Sequence, residues 1–245
     1  MASASIDAFR AMAAYQRIMV VAAHPDDIEW GGAGTVARLT AAGKQVIYVL
    51  ATRGEAGSEN ADLTTEQVGQ LREWEEIAAA HEVGVEAVEF LSFQDSQVYY
   101  GPELRQAIAR AMRQHQPEVV ITFNYDLTWP GGGLNHADHR HLGQAAVDAI
   151  MDASLRSAFP DLLAEGLQAW RGCKLLLIAG VADPNAWVDI SPVIDRSVAS
   201  LAAHSSYLEE LKLDANQVAR GRTSQLGQEH GVEYAEEFRI HTLGS

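Results

Sequence analysis

Five short runs of aliphatic and β-branched residues, Ile18–Ala23, Gln45–Ala51, Ala87–Leu91, Glu118–Thr122 and Lys174–Ala179, alternate with longer amphipathic stretches. That alternation restricts the chain to repeated βα units, in which a parallel sheet is covered by helices on both faces. Glu118-Val119-Val120-Ile121-Thr122 follows the helix breaker Pro117 and reads as a strand buried on both sides. The expected fold is α/β, with a Rossmann-like, mostly parallel sheet flanked by helices. A single domain over residues 1–245 is expected, with a core over about 17–180 and a C-terminal elaboration over about 181–245.

The connecting stretches supply the helices. Gly31–Ala42 reads as a crossover helix closed by Gly43, and Pro102–His115 as another. Thr64-Thr65-Glu66-Gln67 caps a long helix whose inner face is expected to carry Val68, Leu71, Trp74, Ile77 and Ala78. Asn124–Asn135 contains Pro130-Gly131-Gly132-Gly133 and has no periodicity, which predicts a mobile loop. Later, Trp187–Ile190 reads as a short strand and Pro192–Leu211 as one helix.

The first apolar run ends in His24-Pro25-Asp26-Asp27. An imidazole and two carboxylates at the carboxyl end of a buried strand cost desolvation free energy unless something binds there. That edge is where open α/β sheets collect ligands. A second cluster, His136-Ala137-Asp138-His139, follows the glycine loop after the Glu118–Thr122 strand, on the same edge. Cys173 is the only cysteine, so an intramolecular disulfide and a zinc site built on thiolates are both excluded. Any metal here must use His and carboxylate, and two His with one carboxylate is a recognised set for zinc.

Charge narrows the partners. With 33 acidic against 18 basic residues the formal net charge is −15, which repels nucleic acid and anionic membrane at long range. A small neutral or cationic substrate fits better. Met1–Gln16 carries one basic residue, Arg10, and no apolar core of a secretory signal. No apolar run reaches the roughly 18 residues that a bilayer span needs. A cytoplasmic location is expected.

His24-Pro25-Asp26-Asp27, Thr52-Arg53-Gly54-Glu55-Ala56-Gly57 after the second strand, and His136-Ala137-Asp138-His139 together resemble the LmbE-like, or PIG-L-like, zinc-dependent de-N-acetylases. That family includes the N-acetylglucosaminyl deacetylases of mycothiol and bacillithiol biosynthesis. Weaker echoes lie at Ala202–Ser206 and Tyr234–Phe238. The resemblance implies one zinc ion per chain held by His24, Asp27 and His139, with Asp26 as general base. It implies His136 as the electrophilic or acid catalyst, with Asp138 holding the His136 ring. Spacing alone does not decide which histidine of the second cluster is the ligand. Arg53 is expected to meet the substrate beside the metal, and Asp95 to recognise sugar hydroxyls.

The implied reaction is removal of an acetyl group from an N-acetylglucosamine-type substrate by water activated on zinc. An alternative is a zinc amidase or deacylase acting on a thiol conjugate or a specialised metabolite. A binding protein that keeps the metal without turnover is a third reading, which the intact Asp26 disfavours. Family members are often multimeric, so a homo-oligomer is compatible with the resemblance.

Plainer readings of the same residues exist. Asp26 and Asp27 suit the positive N-terminal end of the following helix. Arg53 suits an ion pair with Glu55 or Glu59, and His204 a place in the core or at its rim. Gly31-Gly32-Ala33-Gly34 has the look of a dinucleotide loop, but His24–Asp27 occupies the turn where a pyrophosphate would sit.

Overall fold

The computed structural model describes residues 5–244. The strands are β1 (Ile6–Asp7), β2 (Arg17–Ala22), β3 (Gln45–Leu50), β4 (Ala87–Phe90), β5 (Val119–Phe123), β6 (Leu175–Ala179), β7 (Ala186–Asp189) and β8 (Ala235–Thr242). They form one sheet in the order β1-β7-β8-β6-β5-β2-β3-β4. Every neighbouring pair is parallel except those made by β8, which runs antiparallel to both β6 and β7. The five strands expected from the apolar runs are present, each within a residue of the expected start and end. β8 is an addition.

The helices lie in two layers. On one face pack α1 (Ala8–Ala11), α3 (Ala33–Ala41), the end of α4 (Thr65–Glu82) and α8 (Ile194–Ala203), over Ile18, Val20, Tyr48, Leu50 and Ile121. On the other, α5 (Pro102–His115), α6 (Ala137–Ser154) and α7 (Pro160–Ala164) cover Met19, Val21, Val49 and Val120. Alternate residues of each central strand therefore enter opposite cores, the period of two that a doubly covered strand demands. α9 (Ser205–Leu211) and α10 (Ala215–His230) complete the chain before β8.

Three local expectations change. The stretch Gly31–Ala42 is two helices, α2 (Asp27–Gly31) and α3, separated at Gly32. Pro192–Leu211 is likewise divided: a 3₁₀ turn over Ser191–Val193 precedes α8, and α9 starts after a break at His204. The third change concerns α4, which keeps the expected capping box of Thr64 with Gln67. Its buried face is Val68, Gly69, Arg72, Glu75, Glu76, Ala79 and Ala80, whereas Leu71, Trp74 and Ile77 are exposed, Trp74 at 72%. Small residues let α8 pack closely on that face, and its charged groups find buried partners, so the helix turns its polar stripe inward.

The segment after β5 also has more structure than expected of a loop. Thr128 bridges Leu134 in an antiparallel pair, Trp129 N donates to Gly133 O at 2.8 Å, and Asn135 N donates to Leu127 O at 2.9 Å. The result is a short hairpin with Gly131–Gly133 at its exposed tip.

The last glycine of the Gly31–Gly34 run that suggested a nucleotide loop has a packing role. A Cβ on Gly34 would lie 2.7 Å from Ile190 Cδ1, so only glycine lets α3 approach β7's end this closely.

Candidate metal centre

From β2 the chain proceeds to β3 and β4 on one side, while β5 and β6 lie on the other. β2 and β5 are neighbours, so their carboxyl ends flank the switch point where the connections diverge in opposite directions. His24–Asp27 leaves one of these ends, and the hairpin from the other delivers His136–His139.

The turn after β2 is held by Asp27, whose Oδ2 accepts from Ala23 N and His24 N at 2.9 Å each. Its Oδ1 then faces His139 Nε2 at 3.0 Å. His24 Nδ1 lies 3.1 Å from the same His139 nitrogen and 3.8 Å from Asp27 Oδ2. Three candidate ligand atoms from residues 24, 27 and 139 thus converge. Among the described residues a second group at this edge joins His24 with His136 and Asp138, and in each group the ligating atoms lie within 4.8 Å of one another.

The outward ring nitrogens are held as well. His24 Nε2 lies 3.0 Å from Asp95 Oδ1 and 3.2 Å from Asp138 Oδ2, and His139 Nδ1 lies 2.9 Å from Asn135 Oδ1. An acceptor at one ring nitrogen leaves the other bare, the tautomer a metal ligand requires. Asn135 is itself fixed, because its Nδ2 donates to Asn124 O at 2.7 Å and Asp126 O at 3.0 Å. This donor set fits a borderline cation such as zinc, which favours nitrogen with carboxylate oxygen.

Charge in the site follows from these contacts. Burial disfavours the charged form of His24, but Asp138, Asp95 and Asp27 outweigh it and lift the imidazole to about 10. Burial raises the Asp27 carboxyl, yet His139 and His24 overcome it and hold the group well below the usual carboxylate range. For Asp26 burial wins, with Arg72 opposing, and its carboxyl is pushed up to about 6. For Asp95, burial is outweighed by its hydrogen bonds to His24 and to backbone, which lower it to about 2.

The group opens on a cavity of 530 Å³ that reaches Asp26, Arg72, His136 and Asp95, with aromatic walls from Trp30, Trp129 and Tyr207. Trp129 meets the His139 ring edge-on at 5.5 Å between centroids. It rests on Gly180, in the left-handed region at φ 69°, where a Cβ would lie 2.8 Å from the indole.

The structure places the other expected site residues differently. Asp138 is nearer His24 than His136, whose Nδ1 stands 3.9 Å from Asp138 Oδ1 and instead accepts from Asp138 N at 3.3 Å. Asp95 lines the cavity but uses both oxygens inside the protein, Oδ1 on His24 and Oδ2 as acceptor from Ala56 N at 2.9 Å. Arg53 is not among the cavity residues; it pairs with Glu66 at 2.6 Å rather than with Glu55 or Glu59. The arginine at Asp26 is Arg72, with Nη2 3.1 Å from Asp26 Oδ2, and Arg222 also reaches the cavity. Arg72 was hidden by its place on α4, although Arg72, Glu75 and Glu76 form a polar stripe at helical spacing. Asn135 was detectable only as the residue four before His139.

A doubly covered, mostly parallel sheet carrying a His/carboxylate group at its switch point defines a Rossmann-like α/β protein with a candidate metal centre. The chain belongs to the PIG-L family, whose model, described as GlcNAc-PI de-N-acetylase, matches residues 19–150. It is 29% identical to a diacetylchitobiose deacetylase of Thermococcus kodakarensis, over 80% of this chain and 71% of that one. It is 31% identical to a 1D-myo-inositol 2-acetamido-2-deoxy-alpha-D-glucopyranoside deacetylase of Mycobacteroides abscessus, with coverage of 79% and 82%. Among solved structures it resembles an N,N'-diacetylchitobiose deacetylase from Pyrococcus horikoshii in complex with an inhibitor. The TM-score is 0.85 at 25% identity, covering 94% of this chain and 85% of that one.

Proposed function

We propose that this chain is a zinc-dependent N-deacetylase that removes the acetyl group from an N-acetylglucosamine-type substrate, with residues 1–245 working as one deacetylase domain. One ion per chain is held by His24, Asp27 and His139. The observation that carries this reading is the convergence of their three ligand atoms, with both outward ring nitrogens already occupied by Asp95, Asp138 and Asn135. The group His24, His136 and Asp138 fits less well. Asp138 Oδ2 already accepts from Ser96 N at 2.7 Å, and the His136 side chain is 46% exposed.

Zinc supplies Lewis acidity, which polarises a carbonyl and lowers the pKa of water toward about 7. The protein's own residues do the rest. Asp26, outside the ligand set but lining the cavity, takes a proton from the attacking water. His136 faces the cavity from the N-cap of α6 and donates to the oxygen that gains charge as the carbonyl becomes tetrahedral. Asp26 then returns the proton to the leaving nitrogen, giving acetate and a free amine. Asp138 and Asp95 orient the His24 ring, and Trp30, Trp129 and Tyr207 offer apolar faces to a sugar ring.

Substrate contact by a guanidinium falls to Arg72 and Arg222, whereas Arg53 meets only those parts of a substrate that extend beyond the cavity. No helix among the described residues is long and apolar enough to cross a membrane. A cytoplasmic enzyme acting on a small amino sugar or glycoconjugate, without nucleic-acid partners, accords with the charge of −15.

The test is a panel of N-acetylated sugars, sugar conjugates and thiol-conjugate amides, incubated with zinc-loaded protein and assayed for released amine and acetate. Equimolar amine and acetate from an N-acetylglucosaminide is the expected result. Amine from a thiol conjugate alone would move the reading to an amidase. Tight binding without turnover across the panel would leave a binding protein.

A further inference from the structure

Glu29, Glu76 and His204 form a second cluster of ionisable side chains behind Asp26, and all three are 0% exposed. They come from three separate elements: α2, the inner face of α4, and the break between α8 and α9. Burying such groups is costly unless they are paired and hydrogen-bonded, and the chemistry above uses none of them.

Their contacts lead to one place. His204 Nε2 lies 3.3 Å from Glu29 Oε2 and 3.7 Å from Glu76 Oε2. Glu29 Oε1 accepts from Ser200 Oγ at 2.9 Å, which ties the cluster to α8. Glu76 Oε2 accepts from the backbone N of Asp26 at 3.1 Å. One helical turn earlier on the same face, Arg72 Nη2 donates to Pro25 O at 2.7 Å and pairs with Asp26 Oδ2 at 3.1 Å. The guanidinium sits 4.7 Å from the Tyr207 ring centroid, so it is packed as well as paired.

Asp26 is thus gripped at its amide by Glu76 and at its carboxylate by Arg72. It needs the grip, because its φ of 94° is left-handed and strained for a residue with a side chain. Such a conformation persists where its surroundings over-determine it, and it aims the side chain into the cavity. His204 supplies the matching positive charge. Burial alone would neutralise it, but Glu29, Glu76 and Asp26 face it and lift the imidazole to about 9.

We propose that Glu76 and His204 are positioning residues for Asp26: His204 anchors the Glu76 carboxyl, and Glu76 fixes the left-handed backbone that presents the Asp26 carboxylate to the substrate. This rests on Asp26 acting as the base, as argued above. The cluster acts through Asp26 and touches no substrate itself.

The experiment uses full-length, zinc-loaded protein and reads metal content, KM and kcat for Glu76→Met, Glu76→Gln and His204→Gln. Glu76→Met keeps side-chain volume but removes the acceptor; kcat should fall about 10–100-fold, with zinc at one per chain and KM little changed. Glu76→Gln retains an acceptor and should recover most of that loss. A residue that only filled space would be served as well by Met as by Gln. Should Glu76→Met fold poorly, His204→Gln gives an independent reading, since its loss should likewise fall on kcat.

Adding Glu76→Met or His204→Gln to Asp26→Asn should cost nothing further, because the positioned group is already gone. Wild-type kcat in both Glu76→Met and His204→Gln, or equal losses with and without Asp26, would overturn the proposal. Full activity in Asp26→Asn would instead overturn the reading on which it rests. Two zinc ions per chain, dropping to one in His204→Gln, would assign the cluster to a cation and also overturn the positioning role.

Discussion

Two clusters built from histidine and carboxylates adjoin Asp26, one holding the candidate metal ligands and one behind it. His24, Asp27 and His139 open on a cavity, with side chains 11–15% exposed. Glu29, Glu76 and His204 are sealed. In the open cluster the outward ring nitrogen of each histidine has an acceptor, so that the other nitrogen of each is left to face a common point. In the sealed cluster neither ring nitrogen of His204 makes a hydrogen bond, and the ring serves as a charge between two acids, 3.3 Å from Glu29 and 3.7 Å from Glu76. Similar residues therefore do different work. What separates the two is what holds the far side of each imidazole.

The largest test of this contrast is Asp26→Asn. It should retain zinc while kcat falls by about 10²–10⁴-fold, the usual worth of a general base, as read by metal analysis beside steady-state kinetics. Loss of zinc in this variant would place Asp26 among the ligands and merge it with the open cluster.

Next come the groups behind the ligand histidines. Asn135→Ala and Asp95→Ala should each weaken zinc affinity by about 10–100-fold in competition with a chelator. An unchanged affinity in both would mean that the ring nitrogens need no support, and the distinction drawn above would fail.

Proton release separates the two histidines directly. Without a metal, His24 is charged up to about pH 10 and His204 to about 9. Only His24 must give up its proton to bind zinc, so affinity rises with pH toward 10 and falls in acid. For stability without metal the sign is opposite: a raised folded value stabilises fully below about pH 6.5, the unfolded value, and that stability is lost as pH rises through about 10. Titration calorimetry in buffers of different ionisation enthalpy should show a proton released from His24 at pH 7, and no release would remove it from the ligand set.

The smallest effect belongs to the outer face of α4. Trp74→Ser and Leu71→Ser should change unfolding free energy by only about 0.5 kcal/mol or less, since neither side chain is buried. A loss of several kcal/mol in thermal or urea unfolding would mean that this stripe is covered in solution, and that the polar face is not the only packed one.

Sequence legibility divides along the same line. The five parallel strands were readable because runs such as Val119–Ile121 are apolar and β-branched without a break, a pattern that few other structures tolerate. The switch-point edge followed from them, and with it the meeting of His24–Asp27 with His136–His139. Buried charge was harder. β8 contains Glu236, Glu237, Arg239 and His241, so it does not read as an interior strand. Glu236 is nevertheless buried, accepting from Gly34 N at 2.9 Å and Thr35 N at 2.8 Å. Arg72 and Glu76 were lost for the same reason: periodicity marks two faces of a helix, but a face whose charges are paired inside resembles one turned to water. The burial of His204 follows from three elements meeting, which spacing along one of them does not reveal.

The place of β8 has a consequence for synthesis. Residues 235–242 are translated after every strand they join, yet they sit between β6 and β7 and hydrogen-bond to both. Until they emerge, β6 presents an open edge, and β7 with β1 has no continuous connection to the rest of the sheet. Unpaired edges of this kind invite association between chains. Closure of the sheet also brings Glu236 to the first turn of α3, beside the helix that begins at Asp27. A nascent chain thus completes its framework and steadies the neighbourhood of its metal ligands in one late event, and premature termination would forfeit both.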